Sequence, residues 1–210
     1  MIKQLRAFSL PPDRACKVCV SGGIGSGKST FTNAIVSLGG VRFDADEVLR
    51  VATAPGGVAL PLIRDVFGPE VFVPDGTLNR VALASIVFSN SAKKAQLEAI
   101  LHPLVWQEMD RTVQSLSSDD VLIAEIPLIA ETGNHHRFDV VIMVDAPEST
   151  RLERLVQNRN MDREDVRARI RAQAKRFERE AIAHIWIDNT GTSESLMADA
   201  EEVWRLIVKP

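Results

Sequence analysis

The sequence predicts an α/β fold in which a parallel sheet of about five strands is flanked by helices. Residues 16–21 form a short β-prone run that leads through a glycine-rich turn into a helical pattern from Ser29 to about Leu38. The runs at residues 121–124 and 140–144 are almost continuously apolar, which is typical of strands buried on both faces. Predicted strands and helices alternate along the chain, as a doubly wound sheet requires.

Further strands are predicted on either side of these runs. Gly39 and Gly40 end the first helix, and residues 41–44 follow as a second strand. This β-α-β unit implies a parallel pairing. Residues 185–187 are predicted to form the last strand, and a terminal helix is predicted from about Glu194 to Ile207.

The chain divides into regions of different pattern. We predict a core made of residues 16–54, 119–149 and 184–210, with residues 1–15 as a leader outside it. Residues 55–118 contain turns and helical stretches but little strand signal, so they read as an inserted helical subdomain. Residues 150–183 form a second helical segment, which is crowded with arginines.

Composition limits the possible partners and compartment. A formal net charge of −3 and a pI near 5.8 give no general basic field for nucleic acid or anionic membrane, and no apolar run approaches the roughly 20 residues of a spanning helix. Cys16 and Cys19 are the only cysteines, and their spacing within a strand suits neither a disulfide nor zinc. We therefore expect two small buried residues and a cytoplasmic protein.

The strongest motif is Gly22-x-x-x-x-Gly27-Lys28-Ser29, between a predicted strand and a predicted helix. Glycines let backbone N–H groups turn toward phosphate oxygens, and the helix adds its positive dipole end. Lys28 supplies charge for the outer phosphates, and Ser29 offers a hydroxyl to Mg²⁺. The motif predicts ATP and Mg²⁺ as cofactors, with nucleotide contacts from Gly23, Gly25, Ser26, Gly27, Lys28, Ser29 and Thr30.

The loop motif alone does not separate kinases from other nucleotidases. A GTPase would add Asn-Lys-x-Asp, and the nearest string, at residues 158–161, lacks the Asp. A kinase needs a group that orients and deprotonates an acceptor hydroxyl. Asp44 and Asp46 are the candidates, because they follow the second strand where ligands bind in open α/β sheets. The alternative is that one of them is a helix N-cap.

Other motifs follow in order along residues 16–195. They are residues 43–46 with Arg50, 76–80 with Leu83 and Phe88, 101–104, 127–131, 144–145 and 187–191. With residues 21–29, this series resembles the dephospho-CoA kinase family. The resemblance implies a P-loop kinase-type sheet, a CoA-binding subdomain at 55–118 and a lid at 150–183. It also implies transfer of the ATP γ-phosphate to the ribose 3′-hydroxyl of dephospho-CoA.

The resemblance also assigns roles within the site. Asp46 corresponds to the family's proposed catalytic base, and Asp44 would lie closer to the metal and its waters. Lys28 and a lid arginine would be the other catalytic groups. The lid arginine is shifted by one place here, and Arg159 is the candidate.

Several further residues carry alternative interpretations. Arg50 and Arg80 are candidates for binding the acidic substrate, although either would equally pair with an acid at a subdomain boundary. His102 is a candidate substrate contact or a packed structural residue. Glu125 and Glu131 flank a strand end and are candidates for contact with metal waters or substrate.

Two other functions stay open from the residues alone. One is phosphorylation of another small metabolite, and the other is a noncatalytic ATP-binding switch. The combination of Lys28, Ser29 and Asp46 favours catalysis, because a pure binding module does not need the acceptor-side carboxylate. The expected partner is dephospho-CoA, with no nucleic acid or membrane, and the expected state is a monomer or small homo-oligomer.

Overall fold

A computed structural model describes residues 1–209 and separates them into two compact units. The first contains Met1–Phe43 and residues 113–209, and the second is Asp44–Thr112. The predicted subdomain covered residues 55–118, so the second unit begins earlier and includes the helix that follows the third strand.

The first unit contains a sheet of six strands in the order β1-β6-β5-β2-β4-β3. The strands are β1 (Ile2–Gln4), β2 (Cys16–Ser21), β3 (Val41–Phe43), β4 (Val121–Glu125), β5 (Val140–Asp145) and β6 (Ile185–Asp188). All neighbouring pairs are parallel except β1 with β6. The predicted α/β class is therefore confirmed, with one strand more than the five expected.

The order of the strands differs from the simplest reading of the first β-α-β unit. β2 and β3 run parallel, but β4 lies between them and pairs with both. The cause is burial: residues 121–124 of β4 are almost completely buried, whereas β3 exposes Arg42 and lies at the edge. After β2 the chain continues to β3 on one side of the sheet, whereas β5 pairs with β2 on the other side. The strand order therefore reverses at β2, and such sheets bind ligands at this topological switch point.

The prediction that residues 1–15 lie outside the core is wrong for Ile2–Gln4. These residues form β1, which pairs with the outer edge of β6. Lys3 Nζ lies 2.9 Å from Asp188 Oδ2, and the backbone N–H of Leu5 donates to the carbonyl of His184. Arg14 binds both carboxylate oxygens of Asp139, at 2.7 and 2.6 Å. Without β1, the backbone groups along this edge of β6 would lack partners, which explains why a short N-terminal segment is ordered there.

Helices flank the sheet in the first unit. They are α1 (Lys28–Ser37), α6 (Ile129–Thr132), α7 (Glu148–Arg159), α8 (Arg163–Arg171), α9 (Arg176–Glu180) and α10 (Ser193–Ile207), with a 3₁₀ turn at Asn134–Arg137. Phe31 and Ile35 of α1 and Val203 of α10 pack on the aliphatic core of the sheet. Leu155 and Ile170 belong to a smaller core formed by α7 and α8. No helix within residues 1–209 is long and apolar enough to cross a membrane.

The second unit is helical. It contains α2 (Ala45–Ala52), α3 (Leu60–Phe67), α4 (Arg80–Ser89) and most of α5 (Ser91–Ser115), which continues into the first unit, with a 3₁₀ turn at Pro69–Val71. Its own core includes Ile63, Phe67, Val71 and Leu83. The scarcity of strand signal in this region is thus confirmed, since its only described β-contact is the bridge between Phe72 and Leu78.

Both cysteines are buried and free, as predicted. Burial raises the pKa of the Cys16 thiol to about 12 and also raises that of Cys19, so neither is a thiolate at neutral pH. They act as small apolar residues of the central strand.

Two neighbours on α10 allow a matched test of the core. Leu196 is 3% exposed and packs in the sheet core, whereas Met197 is 53% exposed. We expect Leu196→Ala to lower the free energy of unfolding by about 2–5 kcal/mol, because it leaves a cavity. Met197→Ala should change it by about 0.5 kcal/mol or less. Urea unfolding followed by tryptophan fluorescence measures both, and equal losses would contradict this account of the core.

Candidate functional site

The glycine-rich loop, residues 22–27, joins the end of β2 to the start of α1, as the sequence predicted. Within it, the N–H of Ser26 donates to the carbonyl of Gly23 at 3.1 Å. Ser26 is fully buried, and its Oγ has no hydrogen-bond partner among the described residues. Gly25 lies in the same loop, and Thr30 is exposed in the first turn of α1. The structure therefore gathers all seven predicted nucleotide-binding residues on one strand-loop-helix connection.

A buried amide holds the loop in place. Asn189, directly after β6, donates from Nδ2 to the carbonyl of Ser26 at 2.8 Å, and its backbone N–H donates to the carbonyl of Asp145 at 2.7 Å. Gly27 has a φ of +95°, and a Cβ there would lie 2.2 Å from Asn189 Nδ2. Glycine is needed at this position for its backbone angle and for the space that the amide occupies.

Arg154 of α7 supports the same connection. Its Nη2 donates to the carbonyl of Asn189 at 3.1 Å, and its Nη1 lies 3.5 Å from the carbonyl of Ser26. The guanidinium thus bridges α7, the loop and the residue after β6.

The N-terminus of α1 is left open to an anion. No side chain caps this helix, and its first turn contains no acidic residue. The first N–H groups of a helix lack intrahelical acceptors, and the helix dipole is positive at this end. An uncapped N-terminus that follows a glycine-rich loop is suited to hold phosphate oxygens.

Lys28 begins α1 and is half-buried. Burial lowers the pKa of its ammonium group, the charge of Glu125 opposes that effect, and the charge of Arg159 adds to it. A cation with a lowered pKa gains from a nearby anion, because the anion restores the stabilisation that burial removed. Arg159 is exposed at the end of α7, where Asn160 terminates the helix in the left-handed conformation.

Ser29 and Glu125 form a direct pair beside Lys28. The Ser29 hydroxyl donates to Glu125 Oε1 at 2.7 Å. Glu125 is the last residue of β4, next to β2 in the sheet. The sequence predicted Ser29 as a metal ligand, but it did not separate Glu125 from Glu131 as a candidate beside the metal. No local pattern indicates that β4 lies next to β2, the strand before the loop.

These two side chains fit Mg²⁺ in their chemistry. A hydroxyl and a carboxylate are hard oxygen donors, and Mg²⁺ in phosphate sites binds one or two such groups together with phosphate oxygens and water. Residues 1–209 contain no cluster of three or more His, Cys, Asp or Glu side chains that would hold a metal by themselves.

The segment after α8 makes two contacts that the sequence did not indicate, and one of them is with the loop. Gln173 Oε1 accepts a hydrogen bond of 2.8 Å from the N–H of Ile24 in the loop. The N–H of Ala174 donates to Glu131 Oε1 at 2.8 Å. Glu131 thus has a structural partner in the arginine-rich segment. Neither contact has a sequence signature, because each joins residues that are 43 or more positions apart.

The second unit holds the remaining predicted residues, starting with the two aspartates. Asp44 is the N-cap of α2, and its Oδ1 accepts from the N–H of Glu47 at 3.1 Å. The capping alternative is therefore realised for Asp44. Asp46 is exposed in the first turn of α2, and its carboxylate has no hydrogen bond or ion pair within residues 1–209.

The three other predicted substrate residues have different surroundings. Arg50 pairs with Glu47 on the surface of α2, with Nε 2.6 Å from Oε2, so its ion-pair partner lies in the same helix. Arg80 donates from Nη2 to Thr53 Oγ1 at 2.7 Å. His102 is exposed on α5, which excludes the packed structural role, and Pro103 lies inside this helix rather than at its start.

Known proteins are similar to this chain in sequence and in fold. A family profile described as dephospho-CoA kinase matches residues 16–195. A dephospho-CoA kinase of Thermobifida fusca is 43% identical over 90% of this chain and 94% of its own. Two solved structures also match. One, from Thermus thermophilus, is 32% identical with a TM-score of 0.74 and covers 93% of this chain and 99% of its own. The other, a dephospho-CoA kinase from Campylobacter jejuni, is 26% identical with a TM-score of 0.63 and covers 92% and 98%. Profile, sequence and structure agree, and the chain belongs to the dephospho-CoA kinase family.

Proposed function

We propose that this chain transfers the γ-phosphoryl group of ATP to the ribose 3′-hydroxyl of dephospho-CoA, giving CoA and ADP. The observation that carries the proposal is the uncapped N-terminus of α1 behind a glycine-rich loop, with Lys28 and the Ser29–Glu125 pair beside it. Membership of the dephospho-CoA kinase family supports the choice of acceptor.

The phosphates of ATP would lie in the loop. The N–H groups at the start of α1 and the ammonium of Lys28 would neutralise the outer phosphates, and the pKa of Lys28 would rise again when they bind. Positive groups fixed before the reaction stabilise the charge that spreads over the transferring phosphoryl oxygens.

Mg²⁺ would be held by Ser29, with Glu125 as hydrogen-bond partner or water ligand. When bound, it supplies charge neutralisation between phosphate oxygens. The role of the protein is to orient the two oxygen donors, and their hydrogen bond already holds the Ser29 hydroxyl toward the carboxylate.

Asp46 is our candidate for the group that accepts the hydroxyl proton. Asp44 is occupied in capping α2, whereas the Asp46 carboxylate is exposed and has no described partner. Asp46 follows β3 by three residues, and the carboxyl ends of parallel strands are where ligands bind in such sheets. Phosphoryl transfer passes through a loose transition state, so the carboxylate matters chiefly for positioning the acceptor oxygen.

The second unit would hold the rest of the acceptor. A cavity of about 500 Å³ lies between α2 and α5, lined mainly by apolar side chains such as Val48, Val51, Val58 and Leu104. Its apolar walls suit the flexible pantetheine arm rather than a compact sugar.

Three further properties stay predictions. They are a cytoplasmic location, the absence of nucleic-acid and membrane partners, and a monomer or small homo-oligomer.

An acceptor screen tests the proposed function. ADP formation from ATP–Mg²⁺ should require an acceptor, and dephospho-CoA should have a higher kcat/KM than shikimate, adenosine or a nucleoside monophosphate, because a site built for the larger acceptor discriminates against compounds that leave its polar groups unpaired. A higher kcat/KM for a small metabolite than for dephospho-CoA would indicate a kinase of that metabolite. ATP binding without any turnover would indicate a noncatalytic switch.

Asp46→Asn tests the acceptor-side carboxylate. The substitution keeps the shape and removes the charge, so kcat should fall by about 10²- to 10⁴-fold. Mg²⁺–ATP affinity, measured by calorimetry, should change little. Asp44→Asn is the matched control, since asparagine caps helices as well as aspartate does. A larger loss of kcat in Asp44→Asn, or loss of ATP binding in Asp46→Asn, would move the base or the metal to the other carboxylate.

Arg159 is the proposed lid arginine, supported by the effect of its charge on the pKa of Lys28. We expect Arg159→Ala to lower kcat about 10²-fold or more, because it removes charge from the transferring group. Arg163→Ala, at the exposed start of α8, is the control and should be nearly silent. Arg154→Ala should mainly raise the KM for ATP, because Arg154 supports the loop. If Arg154→Ala or Arg163→Ala lowers kcat more than Arg159→Ala does, the assignment to Arg159 is wrong.

A further inference from the structure

A polar cavity of about 410 Å³ lies between the start of α7 and residues 170–179, and we call it the arginine cavity. We propose that the arginine cavity is a second oxyanion site, for a phosphate group, separate from the cradle formed by the glycine-rich loop. All of its lining residues belong to the first unit.

Two buried guanidinium groups in the cavity wall have unused donors. Arg151 and Arg179 are each 6% exposed. Arg151 donates from Nε to the carbonyl of Ala146 at 3.1 Å, but its Nη1 has no partner among the described residues. Arg179 binds Asp145 and the carbonyl of Ala174, yet its Nε also has none. A buried donor without a partner costs about 1–3 kcal/mol, so two in one wall call for an acceptor.

The charge of the wall favours an anion over water as that acceptor. Five cationic side chains line the cavity: Arg151, Arg171, Lys175, Arg176 and Arg179. Two carboxylates line the cavity with them, from Asp145 and Glu148. Arg176 also pairs with Glu180 at 2.8 Å and with Asp188 at 3.3 Å, which leaves one cation more than these four carboxylates. Asp145 is already held by Arg179 at 2.7 Å and Arg176 at 3.5 Å.

Arg151 is therefore a buried cation without an ion-pair partner in residues 1–209. Burial lowers the pKa of its guanidinium and the charge of Arg179 lowers it further, while the charges of Asp145 and Glu148 oppose this only in part. Water satisfies hydrogen bonds but not this excess of positive charge, whereas a phosphate does both through the planar guanidinium fork.

The cavity also lies directly behind the glycine-rich loop. A Cβ at Gly23 would come 2.4 Å from Arg151 Nη1, so the loop leaves room for this guanidinium. Gln173, which lines the cavity, accepts the N–H of Ile24 in the loop. An anion here would contact side chains from α7, α9 and residues 171–175 at the same time. It would therefore stabilise the contact between Gln173 and the glycine-rich loop.

Two sources offer this chemistry: free inorganic phosphate and the diphosphate of the acceptor. Both present tetrahedral oxyanions, and they differ in whether dephospho-CoA competes for the site. The acceptor arm of the test rests on the proposed function, whereas binding of inorganic phosphate does not.

The test uses inorganic phosphate as the probe and Lys28→Ala as the background, because this change removes the charge that would hold phosphate at the loop. Calorimetry at constant ionic strength should give saturable binding of one phosphate per chain. Arg171→Gln in this background should weaken binding by about tenfold, the value of one charge-assisted hydrogen bond. Arg169→Gln is the matched control, since Arg169 is exposed on the same helix and does not line the cavity. It should bind phosphate as the background does.

A second variant and a competition titration complete the test. Arg151→Gln, verified as folded by circular dichroism, should also lose phosphate binding. The proposal fails if the Lys28→Ala protein shows no saturable phosphate binding, or if Arg171→Gln or folded Arg151→Gln binds phosphate as well as Arg169→Gln does. If the site exists, repeating the titration with dephospho-CoA present identifies the source. Competition assigns the site to the diphosphate of the acceptor, and unchanged phosphate affinity assigns it to the free anion.

Discussion

The site depends on the hydrogen bond from Asn189 to the carbonyl of Ser26. This amide ties the glycine-rich loop to the end of β6, while its backbone N–H ties the same residue to β5. The bond is buried, so losing either partner leaves a polar group unsatisfied at a cost of about 1–3 kcal/mol. Gly27 has to be glycine for the amide to fit. One contact therefore couples the position of the loop to the parallel sheet, and through it to the start of α1.

Charge around the loop is arranged in two layers. On the side of α1, the charges of Arg159 and Glu125 act in opposite directions on the pKa of Lys28, and the Glu125 carboxylate also accepts the Ser29 hydroxyl. Behind the loop, Arg151 and Arg179 are buried around Asp145. Buried cations without full pairing are costly, and proteins retain them mainly where function needs the charge. The loop thus lies in a positive environment that exists before any ligand binds.

The sequence predicted those parts of the molecule that local chemistry determines. The strand, loop and helix around Lys28 follow from glycine spacing and apolar periodicity, and the helical character of the second unit follows from its turns. The position of β4 between β2 and β3 did not follow, because register and order depend on long-range burial. The same reason hid the Ser29–Glu125 pair and the contact of Gln173 with the loop. Local pattern also left His102 between two interpretations, since an exposed position inside a long helix differs from a buried helix start only in tertiary context.

The two edges of the sheet have a consequence for solubility during folding. Central strands as aliphatic as β4 and β5 resemble segments that aggregate through strand addition. One edge is covered by the antiparallel β1, whose Lys3 carries a charge paired with Asp188. The other is β3, only three residues long, with the guanidinium of Arg42 exposed and bonded to the side chain of Asn33. Short, charged edges discourage pairing with a second chain, which allows the interior of the sheet to be apolar throughout.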